Sequence, residues 1–315
     1  MKAAVVPQAG AAPQYQDFPD PESAPGFEVV ELVAAAIHPV VRAKADGVHY
    51  SSADQYPMVP GVDAVARKAD GTLVYAGEAR LPWGTFAERM AVPMAAPLPP
   101  GADPVTVAAA MNPGMSSWMP LTAHVDERGL PGTVLILGPT GAAGGLAVQN
   151  ARALGVQRII GVGRGAADLV RVASMGAEPV ELTGDKTQDT KAIAAALDGR
   201  SPELVLDYLW GTPAESAFEA LHSIPGAAPT DYIEIGSVAG EGAAVPASLL
   251  RSRPFRLSGS GIGSFPIDRY LVQGMAYLQV LADGKITVDA TTYPLEQCTD
   301  AWNAGPGPRA VLTAG

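Results

Sequence analysis

A run of glycines between an apolar strand and an apolar helix sets the tightest limit on how this chain folds. Residues 134–137 are short, apolar and β-prone. Gly138-Pro139-Thr140-Gly141-Ala142-Ala143-Gly144-Gly145 follows at once, ahead of an apolar helical stretch over 146–154. Glycines at 138, 141 and 144 let a tight turn bring backbone N–H groups against a diphosphate, with the helix packed close to the sheet and its N-terminus facing the anion. The expected contacts are Gly138, Thr140, Gly141, Ala142, Ala143 and Gly144. A second strand about 20 residues on completes the context that this spacing needs. Without a ligand, the same glycines serve a tight turn alone.

The chain around this turn alternates short apolar runs with helical stretches. Strands are expected at 134–137, 158–162, 179–182, 204–208 and 232–235, with helices beginning near Ala142, Ala166, Thr190 and Ala214. This is the pattern of a doubly wound parallel α/β sheet. Residues up to 104 read differently, as a small, irregular β domain with strands at 29–33, 62–66 and 86–92 between Pro and Gly punctuation. Between 104 and 125 there is no Asp, Glu, Lys or Arg, but Pro113 and Pro120 interrupt the stretch, so two short buried helices are expected rather than a membrane span. The α/β pattern breaks at Arg251, after which come a Gly-rich stretch over 257–262, an amphipathic segment over 266–282 and a Pro- and Gly-punctuated end. The expected division is therefore 1–104, 105–250 and 251–315.

Composition narrows the function classes. Of 315 residues, 48% are hydrophobic and 17% charged, which excludes a disordered chain. A net charge of −11 opposes sequence-independent attraction to nucleic acid. The single cysteine, Cys298, permits no internal disulfide and no multi-thiolate metal site, which makes a cytoplasmic location the default; no export signal is read at the N-terminus.

The second strand of the α/β pattern ends in Gly163-Arg164, where a site selective for the 2′-hydroxyl of a dinucleotide would place a carboxylate. Arg164 instead offers a guanidinium fork to a 2′-phosphate, with Arg171 further along to strengthen the field, so NADPH is favoured over NADH. The alternative is a solvated arginine after a strand.

These parts, in this order, resemble the medium-chain dehydrogenase/reductase superfamily, in its zinc-free quinone oxidoreductase-like branch. The resemblance spans nearly the whole chain. Besides the glycine turn it rests on Met1-Lys2-Ala3-Ala4, Tyr56-Pro57-Met58-Val59-Pro60-Gly61-Val62-Asp63, Gly84-Thr85-Phe86-Ala87-Glu88, Tyr293-Pro294-Leu295-Glu296 and Ala310-Val311-Leu312. It implies a Rossmann sheet inserted into a GroES-like β-barrel domain, to which the segment after residue 250 returns. It implies a cofactor held in a cleft between the domains, a homodimer, and hydride transfer from NADPH to a quinone or an α,β-unsaturated carbonyl. Further cofactor contacts implied by the family are Gly236, Ser237, Gly259 and Ser260, although Gly259 also reads as relief of crowding between strands.

Zinc-dependent relatives carry Cys where this chain has His38, and a His-Glu pair where it has Val62 and Asp63, so the usual ligand set is not complete and no metal is expected. Tyr50 matches a tyrosine that zinc-free relatives present to their active site, and its phenol is a candidate donor to a substrate oxygen. His38, the second catalytic candidate as a pocket-wall or hydrogen-bonding residue, stands where quinone reductases usually have Asn, and Val41 lies near a position where they often have Asp, so the exact substrate of those relatives does not carry over. Asn112 and Met115 are candidates for the nicotinamide end, or belong to an ordinary connection. His49 reads as a loop residue, His124 and His222 as helix-surface residues, Asp207 as a turn brace and Cys298 as inert helix packing. A different class of function, an NADPH-binding redox sensor or structural protein with little turnover, stays open beside the reductase.

Overall fold

Alternation of buried side chains along short strands builds two separate units. The computed structural model describes every residue except Ser23, Tyr50, Ala53, Asp54, Gly226, Ala227 and Gly315. In chain order, the N-terminal region forms β1 (Lys2–Val5), β2 (Gln14–Asp17), β3 (Glu28–Ala36), α1 (Pro39–Ala45), β4 (Asp63–Arg67), β5 (Leu73–Gly77), β6 (Arg89–Val92) and β7 (Met94–Pro97), then a long helix α2 (Pro104–Arg128). The alternating region follows as β8 (Thr133–Leu137), α3 (Ala142–Leu154), β9 (Arg158–Gly163), α4 (Ala166–Ser174), β10 (Glu178–Glu181), α5 (Lys186–Leu197), β11 (Leu204–Asp207), α6 (Gly211–Ser223), β12 (Thr230–Glu234), α7 (Ala247–Ser252) and β13 (Phe255–Gly259). The chain ends with α8 (Ile267–Ala282), β14 (Ala290–Pro294), α9 (Cys298–Asn303) and β15 (Arg309–Thr313).

One unit, Met1–Asn112 with Met275–Gly315, holds a seven-stranded sheet in the order β14-β15-β3-β4-β5-β7, with β6 also paired to β3. Its pairs are antiparallel except β14 with β15, and β3 carries an irregularity between Leu32 and Ala34 that bends it. The inward residues of β1, β3, β4 and β5 meet Phe86, Met90, Cys298 and Trp302 in one core. The C-terminal strand β15 pairs with β3, so the end of the chain completes the barrel-like sheet begun by the first third.

The other unit, Pro113–Gly274, is a six-stranded, wholly parallel sheet in the order β10-β9-β8-β11-β12-β13. Successive residues of β8 serve opposite layers. Leu135 and Leu137 pack with Ile193, Leu197, Phe218 and Leu221 of α5 and α6, whereas Val134 and Ile136 pack with Leu121, Ala147 and Ala151 of α2 and α3. The chain winds outward from β8 to β10, then returns to β11 on the other side of β8, which puts the topological switch point between β8 and β11. The fold is therefore a Rossmann unit inserted into a GroES-like β unit.

Two expectations change. The stretch over 104–125 is one 25-residue helix with Pro113 and Pro120 inside it, not two short helices. A proline in a helix interior costs about 3 kcal/mol, partly because the carbonyl four residues earlier loses its donor. For Pro120 that carbonyl is Ser116, and the Ser260 hydroxyl donates to it at 3.0 Å. The Ser116, Ser117 and Thr122 hydroxyls also donate to carbonyls of their own helix, at 2.6, 3.1 and 2.9 Å. The expected boundaries at 104 and 250 likewise give way to 112/113 and 274/275, because 255–259 adds to the parallel sheet as its sixth strand beside β12. This edge strand, Phe255-Arg256-Leu257-Ser258-Gly259, lacks the continuous apolar signature of its buried neighbours, so the sequence reads it as part of the tail.

Candidate functional site

The parallel strands deliver their C-terminal ends to one edge of the sheet, and most of the site residues expected from sequence lie along it. Gly138 continues the ladder beyond β8, its N–H bonding the Val162 carbonyl at 2.8 Å. It then turns with φ +88°, while a Cβ there would press on Leu209 at 3.0 Å. At Gly144, a Cβ would lie 2.1 Å from the Gly138 carbonyl oxygen, so glycine is obligatory for α3 to start so near the strand. Gly163 admits the Thr140 side chain in the same way, with a Cβ 3.0 Å from Cγ2. This brings the end of β9 against the turn.

Gly141 is different. Its backbone is extended, at φ −75° and ψ 163°, a conformation any residue adopts. It is exposed, and a Cβ there would meet nothing nearer than the Gly138 oxygen at 3.6 Å. Neither packing nor conformation within the chain calls for glycine. Gly141 is also the N-cap of α3, with no side-chain cap, so the helix opens with uncapped N–H groups beside Ala142, Ala143 and Gly144. A cradle kept free of Cβ atoms at a helix N-terminus fits a diphosphate.

Arg164 is exposed directly beyond β9, with no carboxylate at ion-pair distance among the described residues. Arg171 of α4 donates to the Thr140 carbonyl at 2.6 Å, so it braces the turn in addition to adding positive charge. At the other end of the edge, Gly236 follows β12 and bonds the Asp207 carbonyl at 3.2 Å, and Ser237 bonds Glu241 at 3.3 Å. The Ser260 N–H reaches the Glu234 carbonyl at 2.8 Å. Gly259 is exposed, and a Cβ there would only touch Glu234 at ordinary contact distance, 3.7 Å; crowding is not the reason for glycine at this position.

Sequence reasoning passed over Ser116 and Tyr208. The Tyr208 hydroxyl lies 3.1 Å from the Ser116 hydroxyl, and Ser116 also receives Ser260 on its carbonyl. Burial pushes the Tyr208 phenol up to about 12, so it stays protonated at neutral pH. The available signal was the position of Tyr208, immediately past the end of a parallel strand. Asp207 braces the turn: one oxygen accepts from the Leu209 and Trp210 N–H groups at 2.8 and 3.0 Å, the other from the Tyr232 hydroxyl at 2.6 Å. Burial raises the Asp207 carboxyl, and these hydrogen bonds oppose the rise. His124 is not on a helix surface. It is buried and bonds Asp231 at 2.8 Å, where Arg128 and Arg256 converge on the same carboxylate.

Of the two catalytic candidates, His38 belongs to the other unit. Tyr50 lies outside the described residues. His38 caps the start of α1 without a side-chain bond and is 1% exposed, its Nε2 3.7 Å from Asp63 Oδ1. Asp63 accepts from the Tyr75 hydroxyl at 2.8 Å through Oδ2. No group meets hydrogen-bond geometry at either His38 nitrogen among the described residues, although the Ala108 backbone is near enough to oppose the shift in its titration. Burial, then the Arg309 charge, lowers His38 to about 3. Burial raises Asp63 to about 7, with the Tyr75 bond opposing and Glu78 adding. The pair is mainly neutral between about pH 3 and about pH 7. Among the described residues, no three His, Cys, Asp or Glu side chains converge to hold a metal ion.

The two shifts act on stability in opposite senses. His38, depressed from 6.5, contributes stability above pH 6.5 that is lost as pH falls toward 3. Asp63, raised from 3.8, contributes stability below pH 3.8 that is lost as pH rises toward 7. Between these limits they offset one another. In urea titrations across this range, Asp63→Asn is expected to leave stability falling with acid, and His38→Gln to leave it rising. Parallel pH profiles in the two variants would contradict the neutral pair.

No protein-family profile matches the chain. The "Probable NADPH-dependent quinone reductase tdiC" of Emericella nidulans is 30% identical over an alignment of 347 positions that covers 96% of each chain. Among solved structures, a mycobacterial quinone oxidoreductase superposes with a TM-score of 0.82 at 20% identity, covering 99% of both chains. A probable oxidoreductase from Mycobacterium abscessus gives 0.78 at 25% identity, covering 99% of this chain and 98% of that one. The quinone oxidoreductase of Thermus thermophilus, solved also as its complex with NADPH, gives 0.72 at 23% identity, covering 99% and 100%. With that sequence likeness running the length of both chains, the chain belongs to the medium-chain dehydrogenase/reductase superfamily, in its quinone oxidoreductase-like branch.

Proposed function

We propose that this chain is an NADPH-dependent reductase that works without zinc and passes hydride to a quinone or an α,β-unsaturated carbonyl. The observation that carries the reading is Gly141, a glycine with no internal reason to be one, at the open N-terminus of α3 beside the switch point of a parallel sheet. When bound there, the cofactor supplies the hydride from its nicotinamide. The N–H groups of 141–144 hold the diphosphate, and Gly138 and Gly163 let the backbone come close. Arg164 takes the 2′-phosphate, its guanidinium being free of any carboxylate among the described residues. Gly236, Ser237, Gly259 and Ser260 line the far end of the edge, where Ser260 is held by α2. His38, being neutral, serves as a hydrogen-bond donor to a substrate oxygen and not as an acid; Tyr50 offers a phenol for the same purpose.

The chain is also read as a cytoplasmic homodimer. No described helix is long and apolar enough to cross a membrane. β13 ends the parallel sheet as an edge strand, and Ile267 and Val272 of α8 in the same unit are 72% and 66% exposed. Sedimentation at micromolar concentration is expected to give twice the 32.3 kDa chain mass; a monomer there would contradict the dimer.

Two enzymatic measurements test the reductase reading. NADPH oxidation followed with matched quinone and enone panels is expected to proceed undiminished in the presence of a chelator. Tight NADPH binding without turnover on either panel would overturn it in favour of a sensor. Arg164→Ala is expected to weaken NADPH about tenfold or more through the lost phosphate contact, with NADH nearly unchanged. Equal weakening of both nucleotides would remove Arg164 from the specificity site.

A further inference from the structure

A knot of buried polar atoms lies in the β unit, where His38, Asp63 and Tyr75 meet. His38 is 1% exposed and Asp63 3%. Both backbones are anchored: the His38 carbonyl accepts from the Val41 N–H at 3.0 Å at the start of α1, and the Asp63 carbonyl accepts from the Thr85 hydroxyl at 2.9 Å at the start of β4. Asp63 Oδ2 accepts from the Tyr75 phenol at 2.8 Å, whereas Oδ1 and both ring nitrogens of His38 have no partner that meets hydrogen-bond geometry among the described residues. Oδ1 faces Nε2 at 3.7 Å. A water does not fit in that gap, and a shift of about 1 Å closes it to a direct O–H···N bond.

Three proton arrangements suit such a pair. An imidazolium beside a carboxylate would bury two charges at a separation longer than a charge-assisted bond, with the Arg309 cation of β15 acting against the ring. A neutral ring with its proton on Nε2 would face an ionised carboxylate that has one other donor, Tyr75, and no further cation at ion-pair distance among the described residues. Burying a carboxylate with so few donors is costly. In the third arrangement the carboxyl is protonated: Tyr75 occupies Oδ2, so the proton sits on Oδ1 and points at a bare Nε2, and no charge is buried. Glu78, the acid beyond β5 that acts on Asp63, favours this form, and the Ala108 backbone of α2 favours a proton on the ring.

We propose that Asp63 is a positioning residue for His38: its carboxyl proton, directed at Nε2 by the Tyr75 bond to the other oxygen, locks the imidazole in the tautomer with hydrogen on Nδ1. As a device for the reaction this rests on the reading of His38 as a donor to a substrate oxygen, and it names the donating atom, Nδ1. When Asp63 ionises, its proton goes to solvent. The ring keeps one proton, which moves by exchange with water from Nδ1 to Nε2, where the carboxylate accepts it. Nδ1 is then an acceptor and the donor is lost. With burial raising the Asp63 carboxyl to about 7, the change falls within reach of experiment.

The test is nitrogen–proton correlation NMR of the full-length protein carrying isotope-labelled histidine, with the His38 ring assigned through His38→Gln, at about pH 5 and about pH 9 on either side of the Asp63 transition. A neutral ring with hydrogen on Nδ1 is expected at the lower pH and on Nε2 at the higher. Asp63→Asn is expected to keep the Nδ1 form at both, because with its oxygen on Tyr75 the amide still turns an N–H to Nε2 and does not ionise. Tyr75→Phe tests the same point should that variant not fold: the phenol holds the carboxyl down, so its loss moves the transition to higher pH. An imidazolium or an Nε2–H ring in wild type at about pH 5, or an Nδ1–H ring there at about pH 9, overturns the proposal. The pH profile of NADPH-dependent turnover ties the tautomer to the reaction: wild type is expected to lose about tenfold or more above pH 7, and Asp63→Asn to lack that limb. The same alkaline limb in both proteins overturns the positioning role. The expected ring signals with no turnover on any quinone or enone uphold the tautomer and overturn the reductase reading alone.

Discussion

The closest approach in the α/β unit is between the start of α3 and the end of β8, and much of the site follows from it. With the Gly138 oxygen 2.1 Å from where a Gly144 Cβ would stand, the helix axis is pulled down onto the strand end. That leaves room on β9 only for glycine at 161 and 163, against which Pro139 and Thr140 pack. It also lets Leu209, from the turn after β11, close over Gly138. Three neighbouring strands are thereby fixed at their C-terminal ends with backbone N–H groups facing outward. The switch point between β8 and β11 then provides a crevice that no crossover connection covers.

Burial shifts the polar groups around this edge toward their neutral forms. Asp207 commits both oxygens to fixed donors, and Tyr208 and Tyr232 are buried phenols with raised pKa values. Glu234, at the end of β12, is raised by burial and by the Asp207 and Glu241 charges. In the β unit the same desolvation keeps His38 neutral above about pH 3 and Asp63 mainly protonated below about pH 7.

What the sequence makes legible is local. The glycine turn and the alternation of parallel strands with helices have short-range signatures, spacing, period and punctuation, whereas the return of the C-terminal strand follows only from the family resemblance. What it hides depends on partners distant in the chain. Pro120 reads as a helix breaker because its remedy, the Ser260 hydroxyl on the Ser116 carbonyl, lies 144 residues away. His124 reads as a surface residue because Asp231, 107 residues on, is what makes its burial tolerable. β13 reads as tail because an edge strand needs no continuous apolar face. Of the candidate site, the glycine turn proposed for the diphosphate is readable from glycine spacing, whereas Ser116 and Tyr208 emerge only once α2 is placed along the strand ends.

On the proposed reading the glycine turn serves a ligand as well as the fold, and Gly141 separates the two. Gly141→Val places a side chain in open space beside the helix N-terminus, so NADPH affinity by fluorescence titration is expected to fall at least about tenfold while stability to urea falls by no more than the about 1 kcal/mol that a poorer N-cap costs. Wild-type NADPH affinity in that variant would contradict a turn shaped for the cofactor.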